Sequence, residues 1–128
     1  MEDEVITIPP IRLRWSDWTL WADLKIDARY GGGVRVPSGV SGVYEVKYAN
    51  TNERLTIGKA SDLRMRIKQA LVKGKVPHSA GKRIRAQEDL SRIVLRWAVT
   101  DRPAAAEEEL HKKYEAMFGK LPKYTEHT

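Results

Sequence analysis

Apolar positions recur with different periods along this chain, and each period predicts its own kind of element. From Val43 to Tyr48 the residues alternate, with Tyr44, Val46 and Tyr48 on one face and Val43, Glu45 and Lys47 on the other. That is a strand. Asn50-Thr51-Asn52 is turn chemistry, and Arg54 to Ile57 makes the return strand of a hairpin. A third strand runs over Ser91 to Val99, with Ile93, Leu95, Trp97 and Val99 sharing a face. Between these strands the period lengthens. Leu63, Ile67, Ala70 and Leu71 fall at i, i+4, i+7 and i+8, the stripe of an amphipathic helix capped by Ser61 and ending near Val72. Pro103 suits the first turn of a last helix, Gly119 ends it after Phe118, and Pro122 prevents its resumption.

The flanking segments read less regularly. Residues 1–14 look extended, since Pro9-Pro10 opposes helix and Ile6, Ile8, Ile11 and Leu13 are free to pack. Ser16 is a good cap for a short helix over Asp17 to Ile26, whose Trp18, Trp21 and Leu24 recur about every three residues as a buried stripe. Gly31-Gly32-Gly33 and Pro37-Ser38-Gly39 mark a loop. The glycines are not a phosphate cradle, because no Lys-Ser/Thr and no helix follow them. Gly74 to Gly81, with Pro77-His78-Ser79, reads as a loop with a short basic helical turn behind it. The expected fold is α/β (α+β): a small, mainly antiparallel three-stranded sheet flanked by helices. Its β-β-α-β-α core occupies residues 40–128, behind an N-terminal extension, residues 1–39, with a short Trp-rich helix.

Composition narrows the function classes. At 128 residues the chain is one domain. It has no cysteine, so disulfides and thiolate metal sites are excluded. No apolar run approaches the ~20 residues of a membrane span, and the acidic start Met1-Glu2-Asp3-Glu4 is unlike a secretory signal. A cytoplasmic protein is expected, associated with the nucleoid if bacterial. The net charge of +6 is concentrated. Between Lys59 and Arg85 nine basic residues (Lys59, Arg64, Arg66, Lys68, Lys73, Lys75, Lys82, Arg83, Arg85) face one acid, Asp62, a local net of +8. Such clustering suits a nucleic-acid backbone, with a solvated basic face as the plain alternative.

Chemistry gathers around the hairpin. Gly42-Val43-Tyr44 opens its first strand, Thr56-Ile57-Gly58 closes its second, and Arg66 stands eight residues past Gly58 in the helix that follows. Glu107 lies in the last helix. There Glu108 and Glu109 have Lys112 and Lys113 at i, i+4, a favourable surface spacing. Glu107 has His111 instead and borders the apolar stripe of Ala106, Leu110, Tyr114 and Met117. It is therefore the acid of the three placed to face a cleft, against a plainer reading as a first-turn carboxylate favoured by the helix dipole. His111 and His127 have no ligand spacing with His78, which argues against a histidine zinc site.

These residues resemble the GIY-YIG nuclease superfamily. There a Gly-Ile/Val-Tyr strand pairs with a Tyr-Ile/Val-Gly strand, a helix with an essential arginine follows, and a later glutamate binds metal. Gly42-Val43-Tyr44 matches the first element. Thr56-Ile57-Gly58 matches the second, with threonine for tyrosine. Lys59-Ala60-Ser61-Asp62-Leu63-Arg64-Met65-Arg66-Ile67 matches the segment beyond, and Glu107 with Leu110 matches a Glu-x-x-Leu motif. The match spans about Val40 to Thr125. It departs where the family often carries a histidine or tyrosine, at Ala70, and near Thr125, where an asparagine would fall.

The resemblance implies a metal-dependent endonuclease on double-stranded DNA. Glu107 would hold one Mg²⁺ or Mn²⁺, Arg66 would neutralise charge on the scissile phosphate, and Tyr44 would orient or activate water. A phenol, with an ordinary pKa near ~10, needs a nearby cation or metal to act as a base. Thr56 would supply a weaker hydroxyl. His78, from its place in the basic loop and not from the resemblance, reads as a phosphate contact or a proton-transfer group, with an exposed loop histidine as the plain alternative. Lys59, Arg64, Lys68, Lys73, Lys82, Arg83 and Arg85 would meet the backbone. The alternative is a non-catalytic nucleic-acid-binding protein on the same scaffold; a protein-binding adaptor is a third reading. Branched or damaged DNA is as eligible a target as a defined sequence, with specificity left to the N-terminal segment, loops, a homodimer or a partner protein.

Overall fold

The computed structural model describes residues 4–6, 10–26 and 34–125. The triple glycine, Ile8, Pro9 and His127 lie outside the described residues. Four strands, β1 (Thr19–Leu20), β2 (Gly42–Tyr48), β3 (Thr56–Ala60) and β4 (Ile93–Val99), form one sheet in the order β1-β4-β2-β3. Every pair is antiparallel, and among the described residues the sheet has four strands and not the expected three. The fourth comes from the segment expected to be helical. Ser16 does not cap a helix: its N–H donates to the Trp97 carbonyl at 2.8 Å and its Oγ accepts from the Trp97 N–H at 3.0 Å. Pairing with the open edge of β4 satisfies backbone groups that a helix at this point would leave bare. Only Trp21–Lys25 turns, as a 3₁₀ helix, and its three-residue period keeps Trp21 and Leu24 fully buried on one side. Trp18 leaves that stripe and stands half-buried among Lys47, Arg54 and Arg96.

Alternation in the strands divides the core. Tyr44, Val46, Ile93, Leu95 and Trp97 face the larger core, while Val43 and Ala98 face Ala106 of the last helix. Val99 is half exposed, past the end of its core face. On the second face Ile11, Leu13 and Trp15 pack beside Leu110, so the N-terminal segment closes that core.

The helix after β3 departs from α geometry. Met65–Val72 is a π-helix, with the Lys73 N–H donating to the Lys68 carbonyl at i−5. Asp62 Oδ1, rather than Ser61, accepts from the Met65 N–H at its start. A turn of more than four residues points neighbours inward in pairs, so Lys68 is buried beside Ile67 and Val72 beside Leu71. The helix α1 (Ser79–Gln87) follows, longer than the single basic turn expected, and packs on the π-helix. The helix α2 (Pro103–Phe118) ends at Gly119, whose left-handed φ of 73° closes it. Among the described residues no helix is long and apolar enough to cross a membrane.

Candidate active site

The glycines of the two strand motifs are there for close approach. A Cβ on Gly58 would lie 2.3 Å from the Tyr44 hydroxyl, because Tyr44 and Gly58 are paired across β2 and β3. A Cβ on Gly42 would lie 2.2 Å from the Ala98 carbonyl. The bare Gly58 backbone thus lets the Tyr44 ring lie flat over β3 and bring its hydroxyl to the sheet edge.

His78 meets it there. The histidine N-caps α1: its Nδ1 accepts from the Gly81 N–H at 3.0 Å. An Nδ1 that accepts carries no proton, so the neutral ring bears its hydrogen on Nε2. Nε2 lies 2.7 Å from Tyr44 Oη and therefore donates to it. Both residues are buried. The loop histidine of the sequence is a fixed member of the site, presented by a helix start.

A cleft of about 690 Å³ opens over this pair, lined by Tyr44, Thr56, Lys59, Arg66, His78 and Glu107. All five residues expected to carry chemistry converge on it from four elements and one cap. Of the two arginines at the start of this π-helix, Arg66 in its first turn lines the cleft, and Arg64, its N-cap residue, is exposed outside it. Glu107 is half-buried at the cleft wall, while Lys112 pairs with Glu108 at 3.3 Å and Glu109 at 3.9 Å. The expected Glu109–Lys113 pair is not formed. His111 does not turn to the cleft; its Nε2 lies 3.2 Å from the Ile57 carbonyl. Thr56 is buried, and its hydroxyl donates to the Tyr124 carbonyl at 3.2 Å, so its proton is directed to the C-terminal segment. Ser41, Ser61 and Asp101 also line the cleft, unanticipated from sequence. For Asp101 the available signal was an acid just before the proline that starts α2. Among the described residues no group of three or more His, Asp or Glu gathers as a metal cage.

The basic segment divides. Lys59, Arg64, Lys82 and Arg83 are exposed, and Lys73 is half-buried. Lys68 corrects the expectation. It is 1% exposed, and its ammonium donates to the Ile26 and Val34 carbonyls at 2.9 and 3.3 Å, out of reach of any backbone phosphate. Arg85 is likewise turned inward, its guanidinium donating to the Ala70 and Leu71 carbonyls at the end of the π-helix. Ala70 is buried away from the cleft lining. No protein-family model, curated protein or solved structure matches the chain.

Proposed function

We propose that the protein is a GIY-YIG-type endonuclease that hydrolyses phosphodiester bonds in DNA with a divalent metal ion. One observation carries this reading: Tyr44, Lys59, Arg66, His78 and Glu107, distant in the chain, line one cleft. The metal fits the donor set. Both His78 nitrogens are engaged, so the ligating side chains at the cleft wall are the carboxylates of Glu107 and Asp101. One or two carboxylates completed by substrate oxygens is how Mg²⁺ is commonly held. Glu107 would hold it, and a bound Mg²⁺ or Mn²⁺ supplies polarisation of the phosphoryl oxygen and stabilises charge on the leaving oxygen.

The chain's own residues do the rest. Tyr44 receives a hydrogen bond from His78 instead of giving one, so the histidine does not hold its proton. As a phenolate, stabilised by the His78 N–H and by the cations of the cleft, its oxygen would orient water and accept one proton from it. Water adds to phosphorus as Tyr44 takes its proton, the bond to the leaving oxygen breaks, and that oxygen takes a proton from solvent, so the strand ends as a phosphate and a hydroxyl. Arg66 and Lys59 face the charge that develops on the phosphoryl oxygens. His78, arriving from the next helix start, would take the part of the histidine or tyrosine that the family often carries four residues after its arginine, where this chain has Ala70. Thr56 would then be a wall of the site. The commitment of its hydroxyl to Tyr124 favours one further reading, a binding protein on this scaffold that no longer cleaves.

Supercoiled plasmid with Mg²⁺ or Mn²⁺ separates the two. Nicking by the native protein, with a loss of about 10²-fold or more in Glu107→Ala and in Tyr44→Phe, is the expected result. Cleavage that persists in Glu107→Ala would remove the metal assignment. Salt-sensitive DNA binding without cleavage by any form would establish the binding protein.

A further inference from the structure

A second cavity, of about 490 Å³, lies between the other face of the sheet and the C-terminal half of α2. Asn52, Arg54, Arg96 and Lys113 supply its polar wall, and Tyr114 and Phe118 its aromatic one. Glu45 also lines it, but both its oxygens are engaged. Arg96 donates to Oε1 from Nε and pairs with it through Nη2, and Arg54 Nε stands 3.3 Å from Oε2. Arg54 Nε is buried, and although near Oε2 it makes no hydrogen bond. Lys113 has no ion pair among the described residues, since Lys112 takes both acids of the preceding turn. Three cations therefore share one carboxylate around this space. Lys47, just beside it, reports the same excess: burial, then repulsion from Arg54 and Arg96, holds its pKa below the usual 10.5. The aromatic wall is a pair with ring centroids 4.5 Å apart, flanked by Met117, which is 76% exposed. Ile57 lines both this cavity and the cleft, and Tyr114 is two turns along α2 from Glu107, about 10 Å.

We propose that this cavity binds a nucleoside phosphate, its phosphate at Arg54, Arg96 and Lys113 and its base against Tyr114 and Phe118. Charge excess selects the anion, and the half-buried Phe118 ring, stacked on the buried Tyr114, selects a planar partner. The DNA reading enters only for the source: a strand leaving the cleft along β3 reaches the cavity, while a free nucleotide reaches it from solvent.

The probe is deoxyadenosine monophosphate, titrated into the Glu107→Ala protein and followed by backbone amide NMR. Saturable shifts at residues 113–118, weakened about tenfold by the surface substitution Lys113→Glu, are expected. Anisotropy of a labelled duplex then names the source. A raised duplex Kd in Lys113→Glu identifies the strand, and an unchanged one a free nucleotide. Shifts confined to the cleft, shifts indifferent to Lys113→Glu, or no shifts would each overturn the proposal. The plasmid assay stands apart, so loss of the nuclease reading and loss of this site are separate results.

Discussion

At the scale of single residues, Gly58 decides the geometry of Tyr44 as much as Tyr44 itself does. With a Cβ 2.3 Å from the hydroxyl, Gly58→Ala must push the ring off β3 and stretch the 2.7 Å bond from His78. The expected outcome is a cleavage loss approaching that of Tyr44→Phe, with a stability cost of about 1–3 kcal/mol from overpacking. Plasmid kinetics and thermal melting check it, and a near-native rate would show that Tyr44 acts without this placement. Tyr44 and Arg66 were legible as cleft residues because a strand motif and a fixed offset from Gly58 carry them, and Glu107 because, unlike Glu108 and Glu109, it has no lysine four residues on. Lys68 was not. Its inward turn depends on the i−5 hydrogen bonding of the π-helix, which an amphipathic stripe of period 3.6 does not express. His78 was half legible: its residue type was informative, but the partner that holds it lies thirty-four positions back, at Tyr44.

Among the elements, the C-terminal strap is tied by one carboxylate. Tyr124 pairs its N–H with the Leu55 carbonyl, and its own carbonyl takes the Thr56 hydroxyl in the wall of the cleft. Tyr48 and Tyr124 each donate to Glu88, at 2.8 and 2.9 Å, and Lys123 adds a 2.8 Å ion pair. Burial by itself raises the Glu88 carboxyl, yet the hydrogen bonds from Lys123, Tyr48 and Tyr124 outweigh it and hold it below its ordinary 4.5. A depressed carboxyl stabilises the fold fully above its unfolded value, and that contribution is lost as pH falls through the lower folded value. Melting temperature should therefore drop as pH is lowered from about 5 to about 3. Glu88→Gln should lower it at neutral pH and flatten that acid limb. An unchanged limb would show that the strap is held by packing alone.

For the whole molecule, the distribution of cations matters more than their number. Lys59, Lys82 and Arg83 are exposed, while Lys68 and Arg85 serve the interior. Replacing those three exposed residues together by alanine should weaken duplex binding and reduce the slope of log K against log salt by about 2–3. Melting temperature should stay nearly constant. A slope that does not change would place the DNA path elsewhere on the surface.

Sequence alone determined the strands β2 and β4 and the helix α2 with its proline and glycine ends, and it picked out Tyr44, Arg66 and Glu107, which line one cleft. These are local properties: periodicity, capping and offset are written in neighbouring residues. Tertiary packing decided the fourth strand, the π-helix, the removal of Lys68 and Arg85 from the surface, and the hydrogen bond from His78 to Tyr44. Each of these satisfies a backbone or side-chain group with a partner far away in the chain, and no local pattern records where that partner will be.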